Sequence, residues 1–151
     1  MKNFGVGLAI FLVVLALGGI YGLLAQNKPE ASEEDKRKIW IGEQLFLAEL
    51  ADTAVKRNSG LSGRASLPEN QGLLFVFSQA GSYEFWMKGM QFPLDIIWIG
   101  NDQVVGIEKN IPANSMNTYY PPQPVDKVLE INAGLSDKLG IQAGDSVEFN
   151  Y

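Results

Sequence analysis

Charged side chains placed in apolar strands are the positions of this chain where chemistry is most readily sought. Lys88 and Asp95 stand in the run Tyr83-Glu84-Phe85-Trp86-Met87-Lys88-Gly89-Met90-Gln91-Phe92-Pro93-Leu94-Asp95-Ile96-Ile97-Trp98-Ile99, two apolar stretches joined by a Gly/Pro turn. Burying either charge is costly unless it is paired or hydrogen-bonded. Asp95 alternates with Ile97 and Ile99 while Leu94, Ile96 and Trp98 take the other face, so an apolar environment surrounds it on both sides. Its partner is Arg64, Lys88 or backbone N–H groups beyond Pro93. Such a carboxylate is either a structural cap or ion-pair member, or a pocket group with a perturbed pKa. Glu130 shares a face with Val128 and Asn132, opposite Leu129 and Ile131. Asp95 and Glu130 are the two candidates for acid/base work of the glycosidase type, which needs paired carboxylates flanking one bond.

Other catalytic repertoires are excluded by composition. The 151 residues include no His and no Cys, which removes Ser-His-Asp and Cys-His catalysis, Cys/His zinc sites and thiol chemistry. Gly60-Leu61-Ser62-Gly63 lacks the spacing of a nucleophile elbow, and no alternating Asp/Asn run forms a calcium loop. A serine–lysine dyad through Lys88 is the one nucleophilic arrangement left open. No metal and no cofactor is expected. Candidate ligand-binding residues are Arg64, Trp86, Lys88, Asp95, Tyr119 and Tyr120. The two tyrosines lie in the proline-rich stretch between Pro112 and Pro124, a long loop without periodicity and hence a candidate for function. Trp98 is expected in the core.

These side chains need strands to carry them. Ile39-Trp40-Ile41 and Gln44–Leu50 read as a hairpin turning at Gly42-Glu43. Asp52 or Thr53 caps a short helix through Asn58 that Gly60 stops. Leu73–Phe77, Tyr83–Lys88, Leu94–Ile99, Gln103–Ile111, Lys127–Asn132 and Ser146–Tyr151 read as strands, and Leu135–Leu139 as one helical turn. Successive strands are expected to pair as hairpins. The fold class expected is β-rich α+β, a curled antiparallel sheet or small barrel with two short helices, preceded by one transmembrane helix.

That helix is read from Phe4 to Ala25, which carry no charge; at about 1.5 Å per residue they span roughly 33 Å, enough to cross a hydrocarbon core. Residues 1–25 are expected to be a signal-anchor, 26–38 a charged flexible linker and 39–151 the folded domain. Cleavage after Ala25 would instead secrete the domain. Gly18 and Gly22 form a G-x-x-x-G that suits a helix-dimer face or simply a membrane helix. Lys2 before the helix weakly favours the N-terminus inside and an extracytoplasmic domain. The net charge is −5, and every basic residue except Lys2 and every acidic residue follows Ala25. An acidic domain is a poor partner for nucleic acid.

Several segments in order resemble the DUF192 family. They are Ala51-Asp52-Thr53, Gly60-Leu61-Ser62-Gly63-Arg64, Ser66-Leu67-Pro68, Leu73–Phe77, Phe85-Trp86-Met87-Lys88, Pro93-Leu94-Asp95-Ile96, Val128–Gly134, and Gly140-Ile141 with Gly144-Asp145 and Val147. Ser62, where many members have Met, and Gly89, where Asn is frequent, depart from the pattern. The resemblance implies a small β-rich α+β domain and no particular substrate. The function expected is a membrane-anchored binding or accessory module outside the cytoplasm, recognising an envelope saccharide or peptide, with a saccharide or a protein of the envelope as its partner. The alternatives are a cell-wall saccharide hydrolase or lyase using Asp95 and Glu130, and an assembly factor of a membrane complex.

Overall fold

The computed structural model describes residues 35–150; the expected anchor at 4–25 and most of the expected linker lie outside the described residues. Nine strands form: β1 (Arg37–Ile41), β2 (Gln44–Ala51), β3 (Gln71–Gly81), β4 (Phe85–Trp86), β5 (Leu94–Gly100), β6 (Gln103–Ile111), β7 (Thr118–Tyr119), β8 (Val125–Asn132) and β9 (Val147–Asn150). Helices α1 (Ala54–Ser59) and α2 (Leu135–Lys138) complete the described chain. β1 starts at Arg37, inside the stretch read as linker, because Arg37 and Lys38 already pair with Ala48 and Leu47 of β2.

Seven strands make one sheet in the order β6-β5-β8-β3-β2-β1-β9, and β4 pairs only with β7. The hairpins β1–β2 and β5–β6 form as the turn residues require. In the second, Asn101 and Asp102 both take positive φ, 52° and 54°, the geometry of a two-residue hairpin loop. The expected succession of hairpins fails between them. Strand β3 runs parallel to β2, after a crossover through α1 and the loop to Gln71. Strand β8 returns after the proline-rich loop to lie between β3 and β5, antiparallel to both. Its Val128–Ile131 stretch is buried on both faces, as suits the interior of a covered sheet. The Tyr83–Lys88 segment is strand only at Phe85–Trp86, and Lys88 sits in the turn that Gly89 closes.

The sheet curls into a half-barrel. At one end the start of β6 meets the approach to β9: Val104 N–H donates to the Asp145 carbonyl at 2.9 Å, and Gly144 N–H to that of Val104 at 2.8 Å. Ile39, Ile41, Phe46, Leu74, Ile97, Ile99, Leu129 and Ile131 fill the concave side, where Leu135 of α2 and Ile141 close it. Leu73, Phe75, Leu94, Ile96, Trp98 and Val128 fill the other side, which Leu61, Leu67, Phe85 and Met87 cover from the connecting segments. With both faces covered, every residue of β5 is buried.

Candidate functional site

The convex side of the sheet carries a cleft of about 300 Å³. One wall is α1 with the loop that follows it, contributing Arg57, Asn58, Ser59, Leu61 and Ser62; the other is Tyr83–Trp86 with Met90, and Phe75, Phe77 and Glu130 rise from the sheet. Local interactions fix each wall. Thr53 Oγ1 accepts from Lys56 N–H at 3.2 Å and starts α1, and Gly60, at φ 47°, ends it. Arg57 Nη1 donates to the carbonyls of Asp52 at 2.8 Å and Val76 at 2.9 Å, and its guanidinium lies 5.1 Å from the Phe77 ring centre. Phe77 stacks on Tyr83 at 3.6 Å, and Phe75 meets Phe85 edge-on at 4.8 Å. The loop after α1 is tied to the Met87–Met90 turn by Ser62 Oγ donating to the Lys88 carbonyl at 2.7 Å and Gly63 N–H to that of Gly89 at 2.9 Å.

Glu130 lies at the base of this cleft, in β8, an interior strand of the sheet. Strand register puts Glu49 of β2, Leu73 of β3, Glu130 of β8 and Ile96 of β5 in one row across the sheet. Arg64 is buried against this row and grips Glu49 with both arms of its guanidinium, Nη1–Oε1 at 2.5 Å and Nη2–Oε2 at 2.7 Å. Glu130 is 5% exposed, and its Oε2 is buried without a hydrogen-bond partner. Burial pushes its pKa up to about 8, and the positive charge of Arg64 opposes that rise only in part. At neutral pH the side chain is therefore mainly a carboxylic acid, one donor beside an acceptor.

Asp95 and Glu130 do not form a couple. Asp95 is level with Ile131 and Glu130 with Ile96, so in adjacent antiparallel strands the two carboxyl groups project from opposite faces of the sheet. Asp95 is fully buried on the concave side. Its Oδ1 accepts from the N–H groups of Asn110 at 2.7 Å and Gly134 at 3.1 Å, and its Oδ2 from Ser136 N–H at 3.0 Å and Ser136 Oγ at 2.6 Å. Of the expected partners, backbone N–H groups beyond Pro93 hold the carboxyl, joined by the Ser136 hydroxyl; Arg64 and Lys88 do not. Asp95 thereby caps α2, whose own N-cap residue, Gly134, offers no side chain. A carboxylate with four donors on it is a structural cap.

The remaining expected residues divide. Trp86 is 45% exposed and lines the cleft. Tyr119 and Tyr120 stand behind that wall: Tyr119 pairs with Phe85 across β4 and β7, its hydroxyl lies 2.7 Å from Ser115 Oγ, and Tyr120 donates to Glu84 at 3.2 Å. The proline-rich loop is thus a buttress for β4. Lys88 is exposed on its turn, away from Asp95. Trp98 is in the core. Sequence reasoning missed Arg57, Phe77 and Tyr83 as cleft residues and Glu49 as the partner of Arg64. Glu49 carried a readable signal, a lone acid in the apolar run Leu45–Ala51. Among the described residues no group of acidic side chains is arranged to hold a metal ion.

The DUF192 family model, described as an uncharacterized ACR, matches residues 37–149. The chain belongs to the DUF192 family. The match spans the whole half-barrel and the cleft. Two solved structures resemble this DUF192 domain. A protein of unknown function from Novosphingobium aromaticivorans shares 34% identity with a TM-score of 0.70, over 75% of this chain and 83% of that one. A Sinorhizobium meliloti protein described as a "putative transcription regulator" shares 31% identity with a TM-score of 0.73, over 80% of this chain and 98% of that one. No match is found among curated proteins.

Proposed function

We propose that this DUF192 protein is a binding module that takes a ring-sized group of an envelope component into the cleft between α1 and β4, held at the membrane by residues 4–25 with the domain outside the cytoplasm. The observation that carries the reading is the cleft itself: aromatic side chains on the β4 side and the floor, a polar rim from Arg57, Asn58, Ser59, Ser62 and Glu84, and one buried polar group, Glu130, at its base. Concave, largely apolar sites with few convergent polar groups are the usual form of small-ligand sites, which run from about 300 to 1,000 Å³. A cleft at the lower end of that range suits one sugar ring or one peptide side chain. The anchor is supported by the uncharged Phe4–Ala25 run; among the described residues no helix is long and apolar enough to cross a membrane.

A hydrolase reading and a regulator reading gain no support. A two-carboxylate hydrolase needs both acids on one substrate, and Asp95 and Glu130 face opposite sides of a sheet. The regulator description of the Sinorhizobium relative is not carried to this chain, whose net charge of −5 opposes a phosphate surface. The test is thermal unfolding of the full chain in lipid nanodiscs against peptidoglycan fragments, cell-wall glycans and peptides. A ligand at 100 times its Kd adds about 2.7 kcal/mol of stability. The expected outcome is a shift with one class that Trp86→Ala abolishes without unfolding the protein. An unchanged transition across the whole panel would overturn the proposal.

A further inference from the structure

We propose that the base of the cleft is an acetamido subsite, in which the Glu130 carboxyl donates a hydrogen bond to the carbonyl of an uncharged N-acetylated sugar ring stacked on Trp86. The inference rests on the binding reading above and names its substrate class.

Three observations support it. First, the Glu130 carboxyl is nine-tenths buried, borders the cleft and leaves Oε2 without a partner in the protein. A buried polar atom in that position gains most from a ligand that completes it. Second, the charges around it leave it uncharged at neutral pH. Arg64 is engaged two-pronged with Glu49, and Arg57 and Glu84 stand at the rim, Arg57 held by the backbone carbonyls of Asp52 and Val76. Burial outweighs the pull of Arg64 on Glu130. A protonated carboxyl offers an O–H, so the matching ligand group is a neutral acceptor. An anion brought to the same apolar floor loses its hydration, and a cation there forces Glu130 to ionise. Third, Leu61, Phe75 and Phe85 line the cleft with Glu130, and Leu73 and Ile96 flank it in the sheet. An acetamido group combines a carbonyl with a methyl suited to such neighbours. The exposed Trp86 ring then provides a flat face for the apolar side of the sugar, and Asn58, Ser59 and Ser62 reach its hydroxyls.

Calorimetric titration of the full chain in lipid nanodiscs tests this with three water-soluble probes: the methyl glycosides of N-acetylglucosamine, glucosamine and glucuronic acid. At pH 6.5 the N-acetyl glycoside is expected to bind at least about tenfold more tightly than the other two. Its affinity should fall by about tenfold per pH unit above pH 8, where the donor proton is lost. Glu130→Gln keeps a neutral donor and every other titrating group, so its affinity should be independent of pH between 6 and 9.5. Glu130→Met, folded by circular dichroism, should bind none of the probes. A flat pH profile for the unsubstituted protein, or unchanged binding by the Met variant, overturns the donor role. Preference for the amino or acid glycoside, or binding of envelope glycan through Trp86 without binding of any probe, overturns the acetamido subsite and leaves the binding module standing. Failure of both the probes and the envelope panel removes both.

Discussion

Two buried carboxyl groups, one strand apart, have opposite fates because of what surrounds them. Asp95 is fully buried with four donors on its two oxygens. Asp95→Ala strands the N–H groups of Asn110, Gly134 and Ser136 and should cost about 3–5 kcal/mol in urea unfolding; a loss below about 1 kcal/mol would show that the cap is dispensable. Glu130 lacks such donors and is held as an acid, its pKa raised from 4.5 to about 8. The folded state therefore keeps a proton that the unfolded chain has released between those two values. Stability contributed by this group is full below about pH 4.5 and declines by up to about 1.4 kcal/mol per pH unit until about pH 8, beyond which it is constant. Glu130→Gln has no such proton to lose. The unfolding free energy of the Gln variant relative to the unsubstituted protein should accordingly rise from pH 5 to pH 8, and a constant difference would contradict the buried acid. Both residues were visible in the sequence as acids in apolar strands. Their difference was not, since Asn110, Gly134 and Ser136 reach Asp95 from other elements.

At the level of elements, the close approaches are what hold the cleft in place. An added Cβ at Gly106 of β6 would lie 2.9 Å from Pro122 Cγ and 3.1 Å from its Cδ, so the proline-rich loop packs flat on this glycine. That loop carries β7, which backs β4 and hence Trp86. Gly106→Ala should displace the loop, cost about 1–3 kcal/mol and raise the solvent exposure of Trp86, read from its fluorescence; an unchanged spectrum and stability would mean the loop yields freely. Helix α1 depends on a smaller contact. Thr53→Ala removes the side-chain acceptor for Lys56 N–H and should lower stability by about 1 kcal/mol, measured by denaturant unfolding. The helix, its cap, its glycine stop and both hairpins were legible, because capping and turn chemistry are local. The strand Tyr83–Lys88 was not. Its composition suits a strand, but among the described residues it pairs with the short β7 alone, and pairing stops after Trp86.

For the whole molecule, the uncharged N-terminal run is the proposed membrane anchor, and the acidic domain has little attraction of its own for an anionic surface. The full chain should sediment with membranes and resist carbonate extraction, and deletion of residues 4–25 should release it to the soluble fraction. Release of the intact full chain by carbonate would remove the anchor from the proposal.

Composition, periodicity and turn residues were enough to determine a β-rich α+β domain, both short helices, the both-face burial of Leu94–Ile99 and the core position of Trp98. Each follows from interactions within a few residues or from the alternation of side chains along a strand. Only the tertiary structure decided that β3 runs parallel to β2, that β8 enters between β3 and β5, and that Arg64 turns to Glu49. It also decided that Asp95 and Glu130 face apart. Strand order depends on contacts between segments far apart in the chain, where burial of β8 on both faces outweighs the proximity of successive hairpins. Alternation tells which residues of one strand share a face. It does not tell how two strands are aligned, and the one-residue offset that levels Glu130 with Ile96 places the two carboxyl groups on opposite sides of the sheet.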